Sequence, residues 1–208
     1  MFDHLFNRPA QEWALLALAL LIAIPVHEFA HAWTARWAGD PTAEAQGRVT
    51  LDPLKHLDPV GTFMLLFSGL FGWGRPVPVN PFNFRSPRWG MVLVSAAGPA
   101  SNLLLAAVLG VIGFRLGVIT GIDVGYQRLV VQLIAINLGL ALFNLIPVPP
   151  LDGSKILVGL LPSEQAIKVA TVLERYGMLL LLVLVLTRAT GYLIGPPMGL
   201  LFAMLTGL

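Results

Sequence analysis

Between Trp89 and Phe114 the chain runs twenty-six residues without a charge. As a helix that run would extend about 39 Å, more than the roughly 30 Å hydrocarbon core of a bilayer. Other runs follow the same rule. From Trp13 to Val26 nothing is charged, and the apolar pattern continues as helix to Trp37. Leu129 to Ile146 and Ile167 to Thr187 read as two more spans. Gly191 to Leu208 is a final apolar segment that Gly195-Pro196-Pro197 is expected to break. With 56% hydrophobic residues, 12% charged and a mean hydropathy of +0.78, too little polar surface exists to cover a water-soluble body. The expected fold is therefore an all-α polytopic membrane protein with four to six transmembrane segments, one domain over residues 1–208, and the lipid bilayer as its first partner.

The connections carry further expectations. Val60 to Trp73 is apolar but only fourteen residues long, with Gly61, Gly69 and Gly72 inside it, a length that suits a re-entrant segment better than a crossing. Gly47 to Leu51 alternates weakly and reads as one short strand near the site. The prolines of residues 74–87 hold that stretch extended, whereas Pro147, Pro149 and Pro150 exclude regular helix through residues 147–153. The single basic residue Arg8 and the lack of a small-residue cleavage site predict that the first apolar run is retained.

Charge and cysteine usage exclude several functions. Thirteen Lys and Arg are scattered singly for a net +2, without the basic stripe that tracks phosphates, so no nucleic-acid partner is expected. Cysteine is absent, which removes disulfides, thiol nucleophiles and thiolate-held metals. Any metal must be held by His, Asp, Glu or backbone oxygen. Nine basic residues, Arg36, Arg48, Lys55, Arg75, Arg85, Arg88, Lys155, Lys168 and Arg175, fall on one side if residues 60–73 dip in and return; Arg8, Arg115, Arg128 and Arg188 fall on the other. The bias predicts an outside N-terminus in the cell membrane.

His27-Glu28-Phe29-Ala30-His31 is H-E-x-x-H on a helix. Residues four apart share a helix face, so His27 and His31 can hold one metal, with Glu28 beside them to take a proton from water. The alternative is an internal polar cluster joining helices, but three ionisable side chains in an apolar run are costly in lipid and mark function by default. Pro25, one turn earlier, is expected to loosen the helix and open a way for water.

A catalytic zinc needs a third protein ligand and an open fourth position. The candidates are Asp152, His56, Asp52 and Asp58. If residues 60–73 return to their starting side, the first helix and the helix over 129–146 end on one side, and Asp152 can reach the histidines. If the segment spans, Asp152 lies about 30 Å away.

Three motifs, HEFAH at 27–31, AAGPASN at 96–102 and NLIPVPPLDG at 144–153, resemble the site-2 protease family of intramembrane zinc metalloproteases, in its compact prokaryotic form. The resemblance implies hydrolysis of peptide bonds in or near the membrane-spanning helices of other proteins, which would be the substrates and partners. It implies one zinc ion on His27, His31 and Asp152, with Glu28 as the catalytic glutamate and Asn144 facing substrate or intermediate. Gly98, Pro99 and Asn102 are expected to allow close packing against the first helix, and the extended residues 73–79 to pair with an unwound substrate. A PDZ domain, a CBS domain and a span before the HEFAH helix are not seen. The chain can also form a homo-oligomer. The alternative is a non-catalytic membrane scaffold that retains the protease fold.

Overall fold

The computed structural model describes residues 9–68 and 74–208. The described residues form helices α1 (Ala10–Ala38), α2 (Thr42–Ala45), α3 (Pro53–His56), α4 (Pro59–Ser68), α5 (Pro87–Val108, prolonged by a π-helical stretch Leu109–Arg115), α6 (Val124–Asn144), α7 (Asp152–Leu160), α8 (Ser163–Leu186) and α9 (Ala189–Thr206). Five of these, over 11–38, 87–115, 124–144, 163–186 and 189–206, are long and apolar enough to cross a membrane.

α1, α5 and α6 pack on one another and form the centre of the molecule. Their contacts use small residues, Ala19, Ala23, Ala32 and Ala35 from α1, Gly98 and Ala106 from α5, and Ala141 from α6, all buried. In lipid no hydrophobic force drives helices together, so close backbone approach across small side chains supplies the dispersion contact that holds them. α1 ends where Gly39 turns to φ +111°, a left-handed conformation that glycine adopts without a Cβ clash. Its N–H closes on Arg36 O at 3.1 Å and that of Asp40 on Ala35 O at 2.9 Å, satisfying the last carbonyls.

Asp40 then ties two loops together. It is fully buried, accepts from Thr42 N and Oγ1, from Asn83 Nδ2 at 2.8 Å and from Asn80 N at 2.7 Å. Burial raises its carboxyl, but these four hydrogen bonds outweigh burial and hold it below the ordinary carboxylate value. The bond from Arg85 N to Ala38 O, 3.2 Å, completes the junction. Residues 80–85 thus sit on the end of α1.

This junction decides the path of the apolar stretch between them. α4 is ten residues long, about 15 Å, half a bilayer core. Residues 69–73 lie outside the described part, but Gly74 already pairs antiparallel with Leu57, and Arg75 N donates to His56 O at 2.7 Å. The stretch leaves and returns at one level, as the re-entrant reading requires. Because native cysteine is absent, Gln46→Cys and Phe82→Cys should both react with an impermeant maleimide from one side of a sealed vesicle, and Val118→Cys from the other. Labelling of 46 and 82 from opposite sides would overturn this topology.

Two sequence expectations fail. Gly47–Leu51 is a turn and not a strand, with Gly47 at φ +65°, because Asp52 caps α3 through Leu54 N and Pro53 opens that helix. α1 runs unbroken through the buried Pro25, which has no N–H to give the carbonyl of Leu21, so the helix forgoes one bond there without ending. α9 likewise continues through Pro196 and Pro197; proline's fixed φ is itself helical, and Gly195 offers no Cβ to the ring that follows it.

α8 and α9 do not form an out-and-back hairpin. Leu161, just before α8, accepts from Arg88 Nη2 at the start of α5, whereas Met204, near the end of α9, accepts from Arg115 Nε at the far end of α5, 2.6 and 2.7 Å. The pair carries the chain across once. Its middle, Leu181, Leu184 and Ile194, packs on Ile146, Val148 and Leu151 of the irregular turn before α7.

Candidate metal centre

His27 and His31 stand one turn apart on α1, 6% and 7% exposed, with their Nε2 atoms 3.0 Å apart. Asp152, the first residue of α7, brings Oδ2 to 3.3 Å from His27 Nε2 and 3.2 Å from His31 Nε2. Among the described residues this is the group of His and acidic side chains whose ligand atoms converge, all within 4.8 Å. A tetrahedral ion with ligand bonds of about 2.0–2.1 Å sets its ligand atoms roughly 3.3 Å apart. The three separations match that edge, so a zinc ion fits the donor set in chemistry and in spacing.

Asp152 arrives here through the irregular turn the prolines impose. α6 ends at Asn144, and α7 begins with Asp152 after seven non-helical residues. Gly153 allows the new helix to tuck under the old one, because a Cβ there would lie 2.5 Å from Ile146 O and closer still to Leu145 O. Lys155 Nζ, 3.8 Å from Oδ1, flanks the other carboxylate oxygen.

The outer nitrogens are also held. His31 Nδ1 donates to Val94 O at 2.6 Å, since a carbonyl only accepts, and in the neutral ring this reserves the Nε2 lone pair for a metal. His27 Nδ1 lies 2.6 Å from Asn102 Oδ1. Such partners fix the tautomer and ring orientation of metal-binding histidines. The sequence reading gave Asn102 a packing role only. The motif at 96–102 contained it, but the contact joins residues 75 apart and no local pattern reports that.

Gly98 supplies the space. A Cβ at this position would lie 2.6 Å from both Cε1 and Nε2 of His27, and still closer to His31 Nε2. Gly98→Ala should therefore push both rings off their common point and weaken zinc binding about 10- to 100-fold, as loss of a ligand's support does. Gly139→Ala on α6, where nothing lies within 4 Å, should leave it unchanged. Zinc competition against a chromophoric chelator measures both; equal affinities would show that the rings can yield.

Glu28 is half-buried beside the pair, facing the returning segment: a Cβ on Gly74 would stand 3.5 Å from Glu28 Oε1. That segment is clamped from behind by Arg48, counted in the sequence only as a loop charge. Arg48 is 5% exposed and donates through Nη1 to Pro76 O at 3.2 Å and through Nη2 to Arg75 O. Burial lowers its guanidinium from the ordinary value, against the pull of Glu28.

The other candidates lie elsewhere. His56 is fully buried with Nε2 on Thr50 O at 2.7 Å, Asp52 caps α3, and Asp58 accepts from Gly61 N at 2.8 Å. Asn144 donates from Nδ2 to Leu140 O at 3.0 Å, and among the described residues it makes no hydrogen bond to His27, Glu28, His31 or Asp152.

Comparison with known proteins agrees with this geometry. Residues 15–184 match the model of "Peptidase family M50". The chain is 42% identical over 199 residues to a Bacillus subtilis protein named "Putative zinc metalloprotease YwhC", covering 93% of this chain and 90% of the relative. It is 31% identical to "Putative zinc metalloprotease Rip2" of Mycolicibacterium smegmatis, over 84% of this chain and 68% of the relative. It is 24% identical to "Zinc metalloprotease MJ0392" of Methanocaldococcus jannaschii, over 84% and 42%. No solved structure matches significantly. With its family model spanning most of the chain and its three candidate ligands converging as a zinc site requires, the chain belongs to peptidase family M50, the site-2 protease family.

Proposed function

We propose that this protein is an intramembrane zinc endopeptidase that cuts other membrane proteins within or next to their spanning helices, from the cytoplasmic side of the cell membrane. The observation that carries the reading is the depth of the convergent site. His27 precedes the end of α1 at Ala38 by eleven residues, about 16 Å along the helix axis. A site that far inside a helix long enough to span supports cleavage within the layer in which membrane helices lie.

His27 Nε2, His31 Nε2 and Asp152 Oδ2 would hold the zinc, leaving one position open. When bound, the ion acidifies water and polarises a peptide carbonyl. Glu28, one residue from the first ligand, accepts the proton from the attacking water and returns it to the departing amine, so that no free base is needed at membrane depth. Substrate must come to this place unwound, since helical carbonyls are already hydrogen-bonded. Residues 75–80 form no regular helix or strand, the prolines at 76 and 78 favour extended backbone before them, and among the described residues the N–H groups of Val77 and Val79 make no hydrogen bond. An unwound substrate can pair there as an added strand, with Arg48 holding the segment's carbonyls from behind. Asn144 is assigned to the substrate side of the site.

The test is direct. The purified chain in liposomes, loaded with zinc, should cut a co-reconstituted membrane-spanning peptide; removal of zinc by a chelator should stop cleavage and its return restore it. Zinc-independent cleavage, or none by the loaded protein on a panel of spanning peptides, would defeat the proposal.

A further inference from the structure

Behind His27, away from the place where ligand atoms meet, three helices are joined by amides. Asn102 on α5 and Asn137 on α6 are both fully buried. Asn102 Nδ2 donates to Ala23 O of α1 at 3.2 Å and to Asn137 Oδ1 at 2.7 Å, and Asn137 Nδ2 donates to Leu133 O at 2.8 Å. Asn102 Oδ1 faces His27 Nδ1.

An asparagine amide can be turned over, exchanging donor for acceptor, unless its neighbours forbid it. Here two backbone carbonyls forbid it independently. Leu133 O only accepts, so the Asn137 atom against it is the NH2 and the atom toward Asn102 is the oxygen. Ala23 O likewise requires the NH2 of Asn102, which uses its second hydrogen on Asn137 Oδ1. Both constraints give the chain of bonds one direction, and it ends with an acceptor at His27 Nδ1.

We infer that Asn137, which among the described residues makes no hydrogen bond to His27, His31 or Asp152, is a positioning residue. Through Asn102 it forces the proton of neutral His27 onto Nδ1 and so presents the Nε2 lone pair to the metal. Without Asn137 Oδ1, one hydrogen of Asn102 is orphaned in a dry interior, and only the Ala23 carbonyl still opposes an amide flip. A flipped Asn102 would donate to Nδ1 and move the proton to Nε2, where it blocks the metal. This rests on the zinc reading above for its consequence, but not for its geometry.

The test compares acceptor with shape. Asn137→Asp keeps an oxygen toward Asn102, and if protonated it also keeps the donor to Leu133 O. Asn137→Leu fills the volume and suits an apolar interior better, but has no acceptor. Zinc affinity of the full-length protein in detergent should stay within about threefold of wild type in the aspartate variant and fall ten- to a hundredfold in the leucine variant, as for other supports of a metal-binding histidine. A role in packing alone predicts the reverse order. Nitrogen-15 spectra of histidine-labelled, metal-free protein should show His27 protonated at Nδ1 in the wild type and in Asn137→Asp, and shifted toward the Nε2–H form in Asn137→Leu. Should Asn137→Leu fail to fold, Asn137→Ala carries the same expectation. Equal zinc affinity in the aspartate and apolar variants, or an unchanged His27 tautomer in the apolar one, would overturn the inference. Failure of the wild type to bind zinc would instead overturn the zinc reading, and the tautomer measurement would still test this one.

Discussion

Glu28→Gln should keep its zinc and lose turnover by about 10³- to 10⁴-fold, or roughly 4 to 5.5 kcal/mol of transition-state stabilisation. Glutamine has nearly the same shape and fits the half-buried place beside Gly74, so neither the α1 helix nor the ligand atoms of His27, His31 and Asp152 need move. What is lost is an acceptor for the water proton, which the amide cannot replace. Because the interaction belongs to the chemical step, the loss should appear in kcat, with substrate binding retained. Elemental analysis together with cleavage in liposomes measures both quantities. Near-normal cleavage by this variant would mean that the base lies elsewhere.

Asp152→Ala should lose zinc as completely as His27→Ala or His31→Ala, to under about a tenth of the wild-type content after exposure to a mild chelator. Two ligands cannot hold a catalytic ion against competing water and chelator. The variant also removes the carboxylate that faces both histidine Nε2 atoms at 3.2 and 3.3 Å, leaving those nitrogens without their counterpart. Circular dichroism should show helicity retained, since Asp152 stands at the beginning of α7 and the core of α1, α5 and α6 does not include it. Asp52→Ala and His56→Ala should keep the metal, because their partners are Leu54 N and Thr50 O. Full zinc content in Asp152→Ala would remove the third ligand from the scheme.

Much of this site is legible in the chain. His27 and His31 are four apart, and helical periodicity alone puts them on one face whatever surrounds them. Asp152 needed one step more, a parity argument about residues 60–73; the pairing of Gly74 with Leu57 and of Asn80 with Asp40 shows the return that argument required. Arg48 shows where such reading stops. In the sequence it is one of several loop cations, and only folding buries it behind the segment that faces Glu28.

The course of α8 and α9 was equally hidden. Hydropathy identifies two apolar helices, but length and composition carry no direction. Only the bonds of Arg88 to Leu161 and of Arg115 to Met204 show that the two make a single traverse.

By itself the sequence determined what depends on the nearest residues or on transfer from water. The apolar runs settle that helices lie in a membrane, the three prolines before Asp152 settle that α6 stops, and the spacing of HEFAH settles that two imidazoles share a face. Tertiary structure alone decided what depends on atoms far apart in the chain. Gly98 is a space because α5 crosses α1 there, and Asn102 is the partner of His27 because two backbone carbonyls on different helices orient its amide and that of Asn137. Hydrogen-bond direction is a property of that three-dimensional closure, and no run of neighbouring residues contains it.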